Sequence, residues 1–539
     1  MGLGVDALRG ASGGTDPTAA PSSPPRSAGS SDSVLVILAV ASVVALGIGL
    51  RFYTLSNLWA DEALTVNVAH LPLSDLSHAL RQDGAPPLYY ALLHLWMRGF
   101  GSSDVSARAL SGLFGVLALI PAWFAGRRLD ERRIRAGRQE QGTRTVAWAL
   151  VLLLAVSPFA IRYSTEVRMY SLMVLLVFLG YLAVMRLVER FSVTRFVGVA
   201  VIAALLLYTH YWALGLLATT CAVLVVVGLR GPVKTRRNAW ITIAAIAVGG
   251  LAFIPWIPNF LYQVHHTGTP WGAPVSLTGS PAEALGAFGG NVHVVGWALL
   301  MMALLAVFAL GIDGRHLAVD LWSQRGVRLE AGLAAAILAV GLAIARLSGT
   351  TFEGRYAATM FPLFLMVAAF GVTVFVSKPI RYGVLVLLVL VGLWGGGSNA
   401  FRNRTQAFQS ANAIKAGAHS GDLVVYCPDY IGTDVSRLLP NDLDQVSFPS
   451  MHAPGRIDWV DYKHRVEHMD TLAFARSLDR RAGRDHNIWF VYEPGQPIVD
   501  QPCTKVADAL TFLRGQRTQL VEPDTYFFEH QGLYRYPAL

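Results

Sequence analysis

The chain has 539 residues, 53% of them apolar and only 15% charged, with a mean hydropathy of +0.45. Soluble domains carry about 25% charged residues, so this composition excludes a soluble enzyme, a disordered chain and a nucleic-acid binder, and leaves a polytopic α-helical membrane protein. The 44 basic residues against 35 acidic ones give +9, an excess that basic cytoplasmic loops account for, and three cysteines are too few for a disulfide framework.

Residues 1–33 are rich in Gly, Ser, Pro and Thr, cannot bury enough surface to fold, and read as a disordered cytoplasmic tail. Eleven apolar runs follow over 34–397. The first, Val34–Leu50, is too deep and too long for a signal peptide and reads as an uncleaved span. The others are Ala107–Gly126, Val146–Ile161, Leu172–Leu187, Phe196–Tyr208, Ala213–Leu229, Ala239–Ile257, Val294–Ile312, Ala331–Ala345, Tyr356–Val376 and Tyr382–Trp394. One shorter apolar stretch, Pro86–Phe100, is left over. If it does not cross, Arg127–Arg144 and every other basic loop lie on the cytoplasmic side; if it crosses, that pattern inverts throughout. Pro86–Phe100, with His94, Trp96 and Arg98, is therefore expected to lie in the outer interface as a helix. The expected arrangement is a multi-pass protein of a bacterial plasma membrane, its N-terminus cytoplasmic and its C-terminal part extracytoplasmic.

Residues 398–539 have the charge density of a soluble domain. Leu423–Tyr426 and Ile488–Tyr492 read as buried strands, Thr433–Leu439 and Val506–Leu513 as helices, and Tyr526–Tyr536 as a final strand or hairpin. A small α/β domain outside the membrane is the expectation. Cys427 and Cys503 both fall within it and either pair or stay free, whereas Cys221 lies in a span. Asp429 ends a strand, where it either meets a ligand or simply leads into the next helix.

Three polar segments share the outer face. Trp59-Ala60-Asp61-Glu62 sets two adjacent carboxylates beside a tryptophan, either as acids at a helix start or as a general base. Gln82 to Tyr90 carries a double proline followed by Tyr89 and Tyr90, hydroxyls at interface depth. Arg162 to Tyr170 places Arg162, Glu166 and Arg168 between two spans, where charges are costly unless paired or functional. Arg355, in Phe352-Glu353-Gly354-Arg355-Tyr356, stands at the mouth of the tenth run. His265-His266, in the loop that holds Trp271, belongs either to a lid or to an interfacial loop anchored by that tryptophan.

The motifs WADEALT, GAPPLYYALLHLW and RYSTEVRMYSL, in this order, resemble the GT-C class of integral-membrane glycosyltransferases. The group concerned contains protein O-mannosyltransferases and the lipid A aminoarabinose transferase, known as glycosyltransferase family 39. The resemblance covers 34–394 and is strongest over the first 170 residues. Many relatives carry a histidine before the double proline where this chain has Ala85, so no role for that histidine transfers.

The resemblance implies an inverting glycosyltransferase that moves a sugar, mannose or arabinose-like, from a polyprenyl-phosphate donor to a glycan, glycolipid or protein acceptor. Asp61 inherits the role of general base, and Glu62 beside it completes the catalytic pair by shaping the site or pairing with an arginine. A departing phosphate needs donors aimed at it, for which Arg168 and Arg355 stand first and Arg162, His210 and Tyr211 behind them. Glu166, Tyr89 and Tyr163 would position substrate. No metal and no cofactor is expected, the lipid-linked sugar being a substrate. Asp61 is expected to line a cavity together with Arg168 or Arg355. The rival readings are a membrane transporter or lipid flippase for envelope precursors, which internal repeats and midplane charges would favour, and a catalytically idle scaffold.

Overall fold

The computed structural model describes residues 31–137, 143–269, 271–290, 292–311, 316–319 and 326–539. The disordered-tail expectation therefore falls outside the described residues, except for 31–33, which open the first helix, Ser31–Leu50. The chain divides at Ser42/Val43; the spans after the first helix and the C-terminal α/β region all belong to the part that starts at Val43.

The eleven apolar runs lie mostly on helical structure, except that Val294–Ile312 leaves its helix at Phe308 for the short strand Ala309–Gly311. Five helices are long and apolar enough to cross a membrane alone: Asp104–Arg135, Tyr170–Glu189, Ala213–Arg230, Arg328–Ser348 and Lys378–Phe401. Three bent pairs bring this to eight if each pair counts as one span: Thr145–Ala155 with Pro158–Ser164, Val233–Leu251 with Ile254–His266, and Gly279–Gly289 with His293–Phe308. Val34–Leu50, Val193–Thr209 and Phe361–Val374 are apolar but shorter. Pro86–Phe100 yields a 13-residue helix, Leu88–Phe100.

Large apolar side chains such as Leu113, Phe124, Trp148, Leu179, Val201, Trp240 and Leu390 stand exposed along these helices. In water such a surface aggregates; in a bilayer it is the solvated one, and the protein is a polytopic helical membrane protein. Small residues set the closest contacts between helices. A Cβ on Gly126 would strike the backbone of Ala147, and one on Gly371 the carbonyl of Met302, as expected where helices gain from close backbone approach.

The break between Thr145–Ala155 and Pro158–Ser164 bends the chain by 50° because Pro158 has no amide proton to continue the helix. The carbonyls freed by the break are taken by Arg51. Its guanidinium is buried and donates to the oxygens of Gly47, Leu154 and Ala155, each at 2.6 Å. At the other end of Thr145–Ala155 the Asp130 carboxylate accepts the Val146 and Ala147 amides, both at 3.0 Å, which caps its orphan donors.

Residues 53–101 contain no helix long and apolar enough to cross a membrane. Ala60–Ala69 and Leu73–Asp83 are short helices, the second stopped by Gly84 in the left-handed region at φ 85°, where a Cβ would also meet Thr267. The C-terminal region contains a five-stranded mixed sheet. Leu423–Cys427 pairs in parallel with Asp444–Ser447 on one side and Ile488–Tyr492 on the other; Gly532–Tyr536 runs antiparallel to Ile488–Tyr492, and Thr518–Val521 closes the edge. Successive side chains alternate faces. Leu423, Val425 and Phe490 therefore pack under Thr471–Ala482 and Asp500–Arg514, while Val424, Tyr426 and Trp489 pack under Ala407–Gly417.

The predicted strands fall within one residue of the observed ones at 423–427 and 488–492. The predicted helix Thr433–Leu439 is instead two short turns, Gly432–Val435 and Ser436–Leu438, and Val506–Leu513 extends back to Asp500. The final element predicted at Tyr526–Tyr536 begins only at Gly532. Asp444–Ser447 was not anticipated, because two charged or amide side chains open it. Cys427 and Cys503 form a disulfide that ties the strand Leu423–Cys427 to the helix Asp500–Arg514. Cys221 is free. Asp429 is not a surface acid. It is buried against the Tyr462 hydroxyl, which donates to it at 2.8 Å, and burial pushes its pKa up to about 7.

Candidate active site

Ala60–Ala69 starts where Trp59 leaves the extended conformation, so Asp61 and Glu62 both sit in its first turn, where carboxylates suit the helix dipole. Residues one apart on a helix point about 100° apart, and the two acids meet different surroundings.

Glu62 points inward and is fully buried. Arg108 grips it in a fork, Nε to Oε1 at 2.8 Å and Nη2 to Oε2 at 2.6 Å, while the Val167 amide donates to Oε1 at 2.9 Å. Arg108 in turn donates to the carbonyls of Ser56 and Asn57. Glu62 thus pins the loop 56–59, the helix Asp104–Leu117 and the turn before Tyr170 together. Of the predicted catalytic pair it is the member held away from solvent, by an arginine that sequence reading passed over. A single arginine inside the apolar run Ala107–Gly126 was the available signal, since a charge there needs a partner.

Asp61 points the other way, its side chain 29% exposed. Arg355 Nη1 donates to its Oδ2 at 2.8 Å, and Arg168 Nη2 lies 3.7 Å from the same oxygen. Arg355 comes from the turn Gly354–Thr359 and Arg168 from the segment before Tyr170–Glu189, so the cluster joins three elements distant in sequence. Thr65, one turn along from Asp61, orders the arrangement: its hydroxyl donates to the Asp61 carbonyl at 2.7 Å and accepts from Arg168 Nη1 at 3.1 Å.

Aromatic rings wall the cluster. The Arg355 guanidinium lies 6.0 Å from the Trp59 ring, 5.0 Å from Trp271 and 5.8 Å from Tyr356, within cation–π range. His210 stands between the rings of Tyr170, at 5.7 Å, and Tyr356, at 5.5 Å. Asp83, at the end of Leu73–Asp83, takes the Tyr90 hydroxyl at 2.7 Å; burial raises its pKa against the pull of Arg168 and that hydroxyl. Two guanidiniums therefore face the Asp61 carboxylate, with the Asp83–Tyr90 pair close by. Three buried donors around Asp61 lack a hydrogen-bond partner among the described residues: Trp59 Nε1, Arg168 Nε and Arg355 Nε. Buried donors without acceptors are uncommon, and two of these belong to the arginines that hold Asp61.

The remaining predicted residues do not join this cluster. Arg162 and Glu166 pair with each other, Nε to Oε1 at 3.3 Å, and Arg404 from the C-terminal region lies 3.8 Å from the same Glu166 oxygen. Tyr89 is buried, its hydroxyl 2.6 Å from that of Ser111, which donates to the Arg168 carbonyl at 3.1 Å; Tyr89 holds the Arg168 backbone from behind. Tyr163 packs edge-on against Phe159 and Tyr170. Tyr211 faces Gln263 and accepts from Trp256 Nε1 at 2.9 Å. His266 pairs with Asp461 at 3.2 Å, and the Asp461 amide donates to the His266 carbonyl at 2.7 Å, so this end of the histidine loop is tied to the C-terminal region. Asp61 lines neither of two cavities present: an apolar one of about 80 Å³ among Tyr181, Leu206, Leu216 and Leu333, and a polar one beside Arg162. Among the described residues no three His, Cys, Asp or Glu side chains converge to hold a metal ion.

The C-terminal region reaches the first turn of the Asp61 helix. The Ala60 amide donates to Glu529 Oε2 at 2.8 Å, and the Thr433 hydroxyl donates to the Ala60 carbonyl at 3.0 Å. Glu529 Oε1 accepts from Thr405 at 2.8 Å and from Gln531 at 2.7 Å. Nothing local in the sequence signals these contacts, which span more than 370 positions.

No protein-family model matches the chain, and no curated protein matches it. Among solved structures, the chain is similar to the arabinofuranosyltransferase AftD from Mycobacteria at 14% identity and a TM-score of 0.48, over 93% of this chain and 40% of that one. It is similar to ArnT from Cupriavidus metallidurans, at 14% identity and a TM-score of 0.44, over 94% of this chain and 99% of that one. An Archaeoglobus fulgidus oligosaccharyltransferase matches at 11% identity and a TM-score of 0.48, over 85% and 69% of the two chains. The chain thus spans about 40% of the length of the first of these.

Proposed function

We propose that the protein is an inverting glycosyltransferase that moves a sugar, mannose or arabinose-like, from a polyprenyl-phosphate donor to a cell-envelope acceptor. The observation that carries this reading is the Asp61 cluster: a partly exposed carboxylate held by two guanidiniums whose Nε atoms have no acceptor among the described residues. A carboxylate beside a positive pocket is what transfer from a phosphate leaving group needs. The acceptor hydroxyl oxygen attacks the anomeric carbon as the bond from that carbon to the phosphate oxygen breaks. The polyprenyl phosphate departs with the electron pair, and the hydroxyl proton goes to Asp61.

The ion pairs give the order of events. Arg355 and Arg168 hold the Asp61 carboxylate. A donor phosphate competes for the same guanidiniums, through the fork geometry that arginine offers to phosphate, and frees the carboxylate to take a proton. The base is thereby released by donor binding. Asp61→Asn keeps the shape and removes the base, and should lower transfer by about 10²- to 10⁴-fold while leaving donor binding in place. Wild-type turnover in that variant would end the assignment.

A further inference from the structure

Arg162, predicted as a ligand for the donor phosphate, lies elsewhere. It lines a polar cavity of about 350 Å³ together with Asn399, Arg402, Asn403, Arg404 and His530, closed on one side by Phe527 and Phe528. This is near the lower end of the range of ligand sites, about 300–1,000 Å³. The wall comes from three places: the short helix Pro158–Ser164, the end of the helix Lys378–Phe401 with the residues after it, and the segment before the last strand.

The charge in this cavity is unbalanced. Three guanidiniums line it, and no carboxylate does. The one carboxylate that touches them from behind, Glu166, is buried and shared between Arg162 at 3.3 Å and Arg404 at 3.8 Å. Arg404 is further fixed by the Thr165 carbonyl at 3.0 Å and the Thr165 hydroxyl at 2.5 Å. Arg402 has no carboxylate; it donates to the Tyr526 carbonyl and lies 4.6 Å from the Tyr526 ring. The Nε atom of Arg402 is buried without a hydrogen-bond partner among the described residues, and that of Arg162 meets only the shared Glu166 carboxylate. Guanidiniums set around a partly desolvated cavity with one shared counter-charge favour an anion able to accept several hydrogen bonds.

A pair of rings separates this cavity from the Asp61 cluster. Phe528 lies under the Arg162 guanidinium at 5.1 Å and edge-on to Trp59 at 5.2 Å, while the other neighbour of Trp59 is Arg355. The two cationic sites are thus adjacent but distinct.

We infer that the cavity lined by Arg162, Arg402 and Arg404 is a second anion site, which takes a phosphate mono- or diester independently of the Asp61 cluster. The phosphate belongs either to a lipid headgroup, presented at the end of the helix Lys378–Phe401, or to a soluble phosphorylated molecule. Both present the same oxygens to the same forks.

The test uses the full chain in phosphatidylcholine nanodiscs and follows hydrogen exchange of the segments 399–404 and 525–530, which line this cavity. One arm adds inorganic pyrophosphate; the other dopes the nanodisc with phosphatidylglycerol. Salt-sensitive protection of these segments is expected in at least one arm: protection by phosphatidylglycerol alone assigns a lipid headgroup, and protection by pyrophosphate assigns a soluble phosphate. Arg402→Ala and, separately, Arg162→Gln should each raise the half-saturating concentration about tenfold or more, whereas Arg355→Lys should leave it unchanged. No protection in either arm, or protection that survives both cavity variants or disappears with Arg355→Lys, overturns the inference.

Discussion

Asp61 and Glu62 are neighbours on one helical turn, and the structure sends them into opposite regimes. Glu62 is fully buried, with a forked arginine and a backbone amide filling its lone pairs. Asp61 keeps 29% of its side-chain surface and shares one oxygen between two arginines whose Nε donors are unfilled among the described residues. The first is a saturated pair, and such pairs hold structure. The second is unsaturated on the side of the cations, and that is where a phosphate and a proton can both be handled. What separates them is the direction of a side chain on a helix, set by where the chain leaves Trp59.

Four perturbations sharpen this contrast. The largest effect is expected from Glu62→Gln, which leaves the Arg108 guanidinium buried without its counter-charge. Losing one partner of such a pair costs about 3–5 kcal/mol, so thermal unfolding should shift sharply downward, and transfer should fall only as the folded fraction does. A folded Glu62→Gln protein with abolished transfer would instead place Glu62 in the chemistry.

Arg355→Lys keeps the charge at the mouth and removes the fork. Losing bidentate contact costs about 1.5–3 kcal/mol, so transfer should drop roughly ten- to a hundredfold with little change in stability.

Glu529→Gln weakens the grip of the C-terminal region on the Ala60 amide. A helix-cap contact is worth about 1 kcal/mol, which predicts a several-fold loss of turnover with an unchanged apparent KM for the donor. A change in KM alone would show that Glu529 does not act through Asp61.

The smallest effect concerns pH. Burial, reinforced by Glu529, pushes the pKa of Glu493 up to about 8. The folded state thus holds a proton that the unfolded chain releases near its ordinary value of about 4.3. That contribution is complete below about pH 4 and is lost as the pH rises towards 8. Melting temperatures should therefore fall between pH 5 and pH 8, and Glu493→Gln should flatten the fall; an unaltered slope would remove Glu493 as its source.

Much of this was legible in the sequence, for identifiable reasons. Long apolar runs register in composition, so the runs from Val34 to Trp394 lie mostly on helical structure, and the buried strands at 423–427 and 488–492 show as unbroken apolar blocks. Asp61, Arg168 and Arg355 were singled out because charge beside apolar runs is conspicuous, and the fold brings these three together. Arg162 and Glu166 were equally conspicuous and went elsewhere. A run of polar residues at a helix end does not say which way each side chain turns, and the chain bends at Pro158 just before them. The partners that decide their roles, Arg108, Arg404 and Glu529, come from up to 469 positions away, and no local pattern carries that information.

The central claim is that Asp61 takes the proton in transfer from a polyprenyl-phosphate donor. The most direct test compares the wild type with Asp61→Asn, both reconstituted in lipid, on a panel of labelled polyprenyl-phosphate sugars. The account predicts release or transfer from one donor by the wild type, and its loss in a folded Asp61→Asn protein that still binds that donor. Equal turnover by the two proteins would contradict it.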